Sequence, residues 1–393
     1  MCFLLQVSLD MLRRKGFEVE IYTGTPRGEI IGFSNLITKN LDGFVTEPDN
    51  RNVEYLTLPL PSYCDLHYAL LEPRQILREY LQKLGDYTLI PGSTLSLGDS
   101  SLFFRSDPLN SYHDYIEQNY GGSVVTASIH INIELAEPQL LMRACRLIRV
   151  EAPLYLALSA ASPFLDNRVT GYHSTRWQMF PKTPKKVPLF VNHQHYIDWT
   201  KEQLELKTMQ NVRHLWSSVR PNGPERPYDL NRLELRICDL VVDPVNLLAI
   251  TALLEARLAQ MIDDPSLDPL TSNKFSSDEL LKITNANELI SAQNSLEGVM
   301  THWQNGQQIR ARDWIGDLYQ QVWPFAKKAG FACFLSPLLK ILEQGNQAQQ
   351  WLKLYERGMS IQEIMVQSVL ELTEQDANSM NLIYKNTLDH VSD

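Results

Sequence analysis

Four segments of the chain alternate apolar and polar residues with a period of two, the pattern of a β-strand with one buried and one polar face. The apolar residues of each segment would face a core, and the polar residues would face the other way. The third segment is the longest and alternates most regularly. The four segments are residues 16–23, 53–57, 124–135 and 230–238.

The polar faces of these predicted strands carry many carboxylates. Glu18 and Glu20 are two residues apart, so their side chains lie on the same side of one strand, about 6.5–7 Å apart. His130 shares the polar face of the longest segment with serine, threonine and asparagine. If the four strands form one sheet, their acidic residues line one concave surface with His130 among them. These acidic residues are Glu18, Glu20, Glu54, Glu134 and Glu234.

Helical periodicity covers most of the remaining chain. The predicted helices are residues 65–84, 138–159, 244–262 and most of the chain from residue 277 onward. Strands therefore come early and helices come late. This order favours an α+β fold, with an antiparallel sheet, helices on its apolar face and a mainly helical C-terminal third.

A proline-containing segment at residues 265–269 marks the predicted boundary between these parts. We divide the chain into an N-terminal extension (residues 1–15), an α+β domain with the acidic surface (residues 16–265) and a helical C-terminal region (residues 266–393). The C-terminal region is expected to pack on the same domain. Residues 1–10 show no pattern that the sheet needs, and Met11 is a second candidate start, so activity should not depend on them.

The composition is that of a conventional globular protein. Of the 393 residues, 44% are hydrophobic and 21% are charged, close to the averages for globular domains. The formal net charge is −10, and no basic run exceeds three residues. This charge pattern argues against a nucleic-acid partner.

Cysteine usage indicates a reducing compartment. The five cysteines are odd in number, widely spaced and free of C-x-x-C pairs, which favours reduced thiols over disulfides or a zinc site. The apolar residues 1–5 precede the basic residues 13–15, the reverse order of a signal peptide, and no run approaches the ~18 apolar residues of a membrane span. We therefore expect a cytoplasmic protein, monomeric or homodimeric, with no membrane role.

Clustered carboxylates need a counter-charge, because like charges raise one another's pKa. Oxygen ligands predominate on the acidic surface, which suits Mg²⁺ or Mn²⁺ better than zinc, with His130 as a single nitrogen ligand. The alternative is that each polar face is simply solvated, as is common on antiparallel sheets. The lack of lysine in all four segments favours a platform for metal ions and phosphate.

Seven short motifs occur in order between residues 16 and 240. They are Gly16-x-Glu18-x-Glu20, Glu47 with Glu54 before Thr57 and Pro59, His130-Ile131-Asn132, residues 157–164 (ALSAASPF), residues 170–176 (TGYHSTR), Val219-Arg220-Pro221 and Glu234-Leu235-Arg236. This ordered set resembles the glutamate–cysteine ligase superfamily. Within it, the chain looks like the cyanobacterial glutamate–cysteine ligases, relatives of the bacterial carboxylate–amine ligases and of the plant enzyme.

The resemblance implies a fold similar to the catalytic domain of glutamine synthetase and the guanidino kinases, with ATP and metal ions on the polar face of an antiparallel sheet. It implies residues 16–265 as the catalytic domain, with ATP and Mg²⁺ as cofactors. Arg236 is implied to bind phosphate or a substrate carboxylate. The implied metal ligands are Glu18, Glu20, Glu54, His130 and Glu234.

The activity implied by the resemblance joins the γ-carboxylate of glutamate to the amine of cysteine. ATP would activate glutamate as γ-glutamyl phosphate, and the product would be γ-glutamylcysteine, the first intermediate of glutathione biosynthesis. Two other interpretations stay open. One is a carboxylate–amine ligase with another amine acceptor, and the other is a non-catalytic relative that binds a nucleotide or a metal.

Three further basic residues are candidates for catalysis or nucleotide binding. Arg176 lies in a polar segment predicted as a loop, where its planar guanidinium could close over phosphates or bind a substrate carboxylate. A surface arginine fits the same position equally well. Arg220 and Lys182, each next to a proline, are candidates of the same kind.

Two other features of the sequence suggest a site but are better explained by structure. His193 and His195 lie at strand spacing in a loop-like segment without an acidic partner, so we expect a structural or surface role. Cys238 has no base close to it in sequence, so we expect it to pack as a small hydrophobic side chain.

Overall fold

A computed structural model describes residues 14–271 and 274–389, with side chains described through residue 381. The expectation that residues 1–10 are dispensable lies outside this part of the chain. Within it, an antiparallel sheet packs against helices, and the C-terminal third is mainly helical. The predicted α+β class is therefore confirmed.

The main sheet has seven strands, and every pairing in it is antiparallel. Six strands follow the order β2-β3-β1-β5-β9-β8, and β4 pairs with the far end of β1. These strands are β1 (Lys15–Gly24), β2 (Phe44–Thr46), β3 (Asn52–Leu56), β4 (Thr88–Ile90), β5 (Ile129–Glu134), β8 (Val219–Asn222) and β9 (Arg232–Leu235). Two small hairpins lie outside the sheet: β6 (Phe164–Leu165) with β7 (Arg168–Val169), and β10 (Val299–Thr301) with β11 (Gln308–Arg310).

Thirteen helices are described. The long ones near the sheet are capped at their first turn: Ser62, Glu137 and Asp243 each accept a hydrogen bond from a backbone N–H. The helices are α1 (Ser34–Asn40), α2 (Tyr63–Leu84), α3 (Ser111–Tyr120), α4 (Pro138–Ser159), α5 (Thr175–Met179), α6 (His193–Glu205), α7 (Pro244–Asp263), α8 (Ser277–Asn294), α9 (Ala311–Lys328), α10 (Ala332–Leu335), α11 (Leu338–Gln344), α12 (Gln347–Glu356) and α13 (Ile361–Asp389).

The apolar face of the sheet is fully covered. Phe17, Val19 and Ile21 of β1 are at most 1% exposed, as their alternation predicts. α4 packs on β8 and β9, whereas α2 packs on β1 and β4. α7 lies against both of these helices. Only the opposite, polar face of the sheet is therefore open to form a site.

The helical C-terminal region shares this core with the sheet. On α4, Glu151 is fully buried and accepts hydrogen bonds from Arg257 at 3.0 and 2.5 Å and from Trp303 Nε1 at 3.0 Å. Glu288 of α8 is also fully buried and pairs with Arg149 of α4. Charged groups buried this deeply hold their elements together because each would be costly to leave unpaired.

The sheet has more strands than the alternation predicts, and β5 and β9 are shorter than their predicted segments. The segment predicted as 124–135 is a strand only at Ile129–Glu134, because Val125 and Thr126 form turn-like hydrogen bonds to Gly122 and Val124. β2, β4 and β8 were not predicted. β8 contains Pro221, which is tolerated because β8 lies at the sheet edge and Pro221 needs no donor there.

One described helix bears on the expectation about membrane segments. α7 is long and apolar enough, by length and composition alone, to cross a membrane, although it is not an unbroken apolar run because it includes Glu255 and Arg257. Inside the fold, 78% of its most apolar window is buried. The core helix of a globular protein passes the same test of length and composition.

Glu288 offers a test of whether the two parts of the chain fold together. Glu288→Gln should lower the free energy of unfolding by about 3–5 kcal/mol, because it leaves Arg149 and Lys182, on the other side of the boundary, without their buried carboxylate. Urea unfolding followed by circular dichroism measures this change. Glu356→Gln, at an exposed position, is the control and should have no effect. Two separate transitions in the unchanged protein, or a loss below about 1 kcal/mol, would contradict a shared core.

Candidate active site

The polar face of the sheet forms the floor of a cavity of about 950 Å³. The strand register places the acidic residues next to one another. Glu18 of β1 lies opposite His130 of β5, and Glu20 lies opposite Glu54 of β3. Glu47, which directly follows β2, also lines the cavity. Of the predicted acidic surface, Glu18, Glu20 and Glu54 therefore line this cavity with His130, whereas Glu134 and Glu234 do not.

Glu18 and Glu20 are fixed by neighbours on β5. His130 Nδ1 lies 2.8 Å from Glu18 Oε2, and Asn132 Nδ2 donates to Glu18 Oε1 at 3.2 Å. Ser128 Oγ donates to Glu20 Oε2 at 2.8 Å. These bonds orient both carboxylates toward the cavity. The pKa of Glu18 is lowered, because the hydrogen bond and charge of His130 together with Arg236 outweigh burial and the repulsion from Glu234.

Glu54 and Glu47 have no such compensation. Within residues 14–271 and 274–381, no hydrogen-bond donor or ion-pair partner contacts either carboxylate. Desolvation by burial, with repulsion from Glu18 and Glu20, raises the pKa of Glu54 to about 8. Desolvation, together with Glu20 and Glu54, also raises the pKa of Glu47 well above its usual value. We call Glu18, Glu20, Glu47 and Glu54 the acidic wall of the cavity, and two of its four carboxylates, Glu47 and Glu54, have no ion-pair partner among the described residues.

Glu234 on β9 has the opposite environment. It is fully buried, and Arg220 binds it in a bidentate pair with distances of 2.7 and 3.0 Å. Arg236 Nη1 donates to Glu234 Oε1 at 2.5 Å, and Asn222 Nδ2 donates to Oε2 at 2.6 Å. The pKa of Glu234 is held well below its usual value, because these arginines outweigh desolvation.

The acidic wall fits a divalent cation. Its donors are carboxylate oxygens, two of its members have no counter-charge, and oxygen ligands are what Mg²⁺ and Mn²⁺ prefer. Ligand atoms of Glu18, His130 and Glu234 also lie within 4.8 Å of one another. The four donors around Glu234, however, already fill the four acceptor positions of a carboxylate. Glu18, Glu20 and Glu54 are therefore better placed to bind a cation than Glu234, which would have to release Arg236.

Arg176 does not lie in a surface loop, contrary to the prediction. It belongs to the short helix α5 and is only 2% exposed. Its Nε donates to Asp239 Oδ1 at 2.8 Å, and its Nη2 donates to the backbone carbonyl of Ile237. Arg176 lines the cavity, but its guanidinium is bonded to Asp239 and to the backbone next to Arg236. This geometry favours a positioning role.

Lys182 is also engaged by the protein. Its Nζ donates to Glu288 Oε2 at 3.0 Å and lies 5.0 Å from the ring of Trp177. It is not among the residues that line the cavity, whereas Trp177 and Arg220 are. Glu134 lies beyond the acidic wall, in an adjoining groove of about 320 Å³ that also includes Arg232.

The remaining candidates have structural environments. His193 begins helix α6, so the predicted loop is wrong, and its Nε2 donates to the carbonyl of Pro227 at 2.8 Å. Cys238 is fully buried, and desolvation raises the pKa of its thiol to about 12. Neither residue lines the cavity.

Sequence reasoning missed the part of the cavity that is lined by aromatic residues and by further arginines. The aromatic residues include Tyr112, Trp177, Phe180 and Trp216, and the arginines are Arg213, Arg226 and Arg232. No periodic pattern marks Arg213 or Arg226, because they lie outside the strands and the long helices. Arg226 lies in the turn between β8 and β9, and Arg232 begins β9, so that proximity in sequence to Arg220 and Glu234 was the available signal.

The sequence profile described as glutamate–cysteine ligase family 2 matches residues 14–374. A protein of Rubrobacter xylanophilus, provisionally named glutamate–cysteine ligase 2-1, is 24% identical over 298 residues, which are 73% of this chain and 76% of that protein. A protein of Sorangium cellulosum, provisionally named glutamate–cysteine ligase 2, is 25% identical over 239 residues, 60% of this chain and 61% of that protein.

Two solved structures share the fold. The bifunctional glutathione synthetase of Pasteurella multocida superposes with a TM-score of 0.71 at 14% identity, covering 96% of this chain. The chain spans only 54% of the length of that protein. The glutamate–cysteine ligase of Francisella tularensis, solved in complex with AMP, superposes with a TM-score of 0.70 at 13% identity, covering 95% of this chain and 94% of that one.

The raised pKa of Glu54 predicts a pH-dependent stability in metal-free protein. Between its ordinary value of 4.5 and its folded value of about 8, the folded state holds a proton that the unfolded state releases. The free energy of unfolding should therefore fall as pH rises through this window. Glu54→Gln cannot ionise, so at about pH 9 it should be more stable than the unchanged protein, by an amount on the order of a few kcal/mol.

Thermal unfolding in the presence of a chelator, from about pH 5 to about pH 9, measures this difference. Glu205→Gln, at an exposed position on α6, is the control and should follow the unchanged protein. Identical pH profiles for Glu54→Gln and the unchanged protein would show that the Glu54 carboxylate is not repelled by its neighbours.

Proposed function

The chain belongs to glutamate–cysteine ligase family 2, as its motifs indicate, and we propose that it joins the γ-carboxylate of glutamate to the amine of cysteine at the expense of ATP. Family membership supports ATP-dependent ligation of a carboxylate to an amine. The observation that carries the proposal is the cavity itself, which is lined both by the acidic wall, where Glu47 and Glu54 have no ion-pair partner among the described residues, and by arginines. Such a lining suits a metal–nucleotide complex, because carboxylates would hold the cations and arginines would bind the phosphates.

The names of related proteins support the finer assignment. The relatives of Rubrobacter and Sorangium carry the name glutamate–cysteine ligase, and the Francisella enzyme of the same fold was solved with AMP. AMP supports an adenine nucleotide as the substrate of this chain. The four described cysteines are free, which supports a reducing, cytoplasmic setting.

In the proposed reaction, an oxygen of the glutamate γ-carboxylate attacks the γ-phosphorus of ATP, and ADP leaves. The resulting acyl phosphate is attacked at its carbonyl carbon by the uncharged amine of cysteine. The carbon–oxygen bond to phosphate breaks, the amine loses a proton, and an amide and inorganic phosphate remain. No covalent bond to the protein is required, so the protein contributes positioning and charge stabilisation.

The residues of this chain have separate tasks in that reaction. Glu18, Glu20 and Glu54 would hold Mg²⁺ or Mn²⁺, with His130 orienting Glu18; a bound cation there supplies charge neutralisation for the nucleotide phosphates. Arg236, directly after β9, lines the cavity and can bind the transferred phosphoryl group or the glutamate carboxylate. Arg220 keeps Glu234 neutralised beneath Arg236, and Arg176 supports the backbone behind it.

A second candidate function uses the same chemistry with a bulkier amine acceptor. Trp177, Phe180 and Trp216 line the cavity and would contact an aromatic or aliphatic acceptor side chain. A comparison of acceptor amines in an ADP-release assay separates the two candidates. Cysteine gives the highest kcat/KM if the first proposal is correct.

Glu18→Gln should reduce ADP release by at least about a hundredfold while leaving the fold intact, because an amide is a poor ligand for Mg²⁺. The residual activity should respond to higher Mg²⁺ concentrations. Glu134→Gln is a matched control, since Glu134 lies on the same sheet face but outside the main cavity. Full activity of Glu18→Gln at limiting Mg²⁺ would show that Glu18 does not bind the metal.

The acyl phosphate can be tested directly with glutamate labelled with ¹⁸O in its γ-carboxylate. One labelled oxygen should pass into inorganic phosphate in each turnover, because the carbon–oxygen bond is the one that breaks. 2-Aminobutyrate, which has a methyl group in place of the thiol, should also form an amide, but with a lower kcat/KM. Phosphate without label excludes the acyl phosphate, and product formed only with thiol acceptors shows that sulfur takes part in the reaction.

A further inference from the structure

Arg226 differs from the other arginines that line the cavity. Arg176 is paired with Asp239, and Arg220 and Arg236 are both paired with Glu234. Arg232 donates to the side-chain oxygens of Asn132 and Asn231 at 3.1 Å each. Arg213 is exposed, so water can solvate its charge. Each of these guanidinium groups is therefore compensated by the protein or by solvent.

The guanidinium of Arg226 has no such compensation. Its side chain is half-buried at the cavity, and its Nη1 is enclosed without a hydrogen-bond partner. Across the part of the chain described with side chains, no carboxylate lies within ion-pair distance of it. Desolvation, followed by repulsion from Arg220, lowers the pKa of Arg226 to about 10. A buried donor left unpaired in this way costs free energy that a bound anion would recover.

The loop that carries Arg226 is rigidly built. Tyr228 N and Asp229 N both donate to the carbonyl of Glu225 at 2.8 Å, which closes the β8–β9 turn around Arg226. His193 Nε2 holds the adjacent Pro227 carbonyl. A Cβ at Gly223 would lie 2.1 Å from the carbonyl oxygen of Asp229, so only glycine permits this close approach. The backbone that carries Arg226 is thus fixed before any ligand arrives.

We propose that Arg226 is a specificity-determining residue that binds an oxyanion of a substrate, either a nucleotide phosphate or an amino-acid carboxylate, at the end of the cavity next to the Glu234 cluster. This inference rests on the proposed ligase function and adds the residue that receives the anion. Arg220 and Arg236 would each have to leave Glu234 to bind an anion with both nitrogens of the fork. Arg226 can bind one without breaking an existing ion pair.

The test compares Arg226→Met and Arg226→Lys with the unchanged protein, using Arg168→Met as a control for net charge at an exposed site outside the cavity. Equilibrium titrations are made with three probes: a non-hydrolysable ATP analogue with Mg²⁺, L-glutamate, and L-2-aminobutyrate. We expect Arg226→Met to weaken binding of one probe by about ten- to a hundredfold, the value of a charge-assisted hydrogen bond. Arg226→Lys should recover part of that loss, because it keeps the charge but not the planar fork.

The probe that weakens identifies the anion: the nucleotide analogue indicates phosphate, and either amino acid indicates carboxylate. Binding within about threefold of normal for all three probes overturns the proposal. An equal loss for all three, together with a lower melting temperature and no recovery in Arg226→Lys, also overturns it, since that pattern is the result of a structural role. If the unchanged protein binds the probes but releases no ADP, the proposed ligase function is wrong. The titrations with the Arg226 variants still decide whether Arg226 binds an anion.

Discussion

The repulsion among carboxylates on one face of the sheet is the constraint on which the rest of the site depends. β1 lies between β3 and β5, and its register puts Glu18 beside His130 and Glu20 beside Glu54. This register cannot slip by one residue, because the alternating side chains Phe17, Val19 and Ile21 are buried in the core. The burial of one face therefore forces the acidic residues together on the other.

The protein resolves this repulsion differently on its two sides. On the β8–β9 side, Arg220, Arg236 and Asn222 saturate Glu234, so that this carboxylate serves as the fixed counter-ion of a pair of arginines. On the β1–β3 side, Glu54 and Glu47 form no ion pair with any residue of the described chain. Their pKa values are raised because burial and the neighbouring carboxylates disfavour the ionised form. A charge imbalance that the protein itself leaves uncorrected is a physical reason to expect a cation there, independent of any family resemblance.

The sequence predicts the parts of this arrangement that depend on local periodicity. The inner and outer faces of β1 and β5 follow from alternation, and the limits of α4 at Pro138–Ser159 follow from its capping and its apolar pattern. Contacts between residues far apart in the chain leave no such pattern. Arg176 meets Asp239, and Lys182 meets Glu288, across 63 and 106 residues respectively. A polar segment with an arginine therefore looks like a loop from sequence, although its guanidinium is buried.

Some of these distant contacts cross the predicted boundary near residue 265, so the two parts of the chain are not structurally independent. Glu288, on the far side of that boundary, is fully buried and accepts hydrogen bonds from Arg149, Lys182 and Trp177, and the Trp177 ring lines the cavity. Without Glu288, two cations of the sheet domain would lack their shared counter-ion, and the indole N–H of Trp177 would lose its acceptor. The helical region thus supports Trp177, an aromatic residue of the cavity lining. The residues that line the cavity belong to the first part of the chain, and the second part contributes Glu288, which holds Trp177 in place.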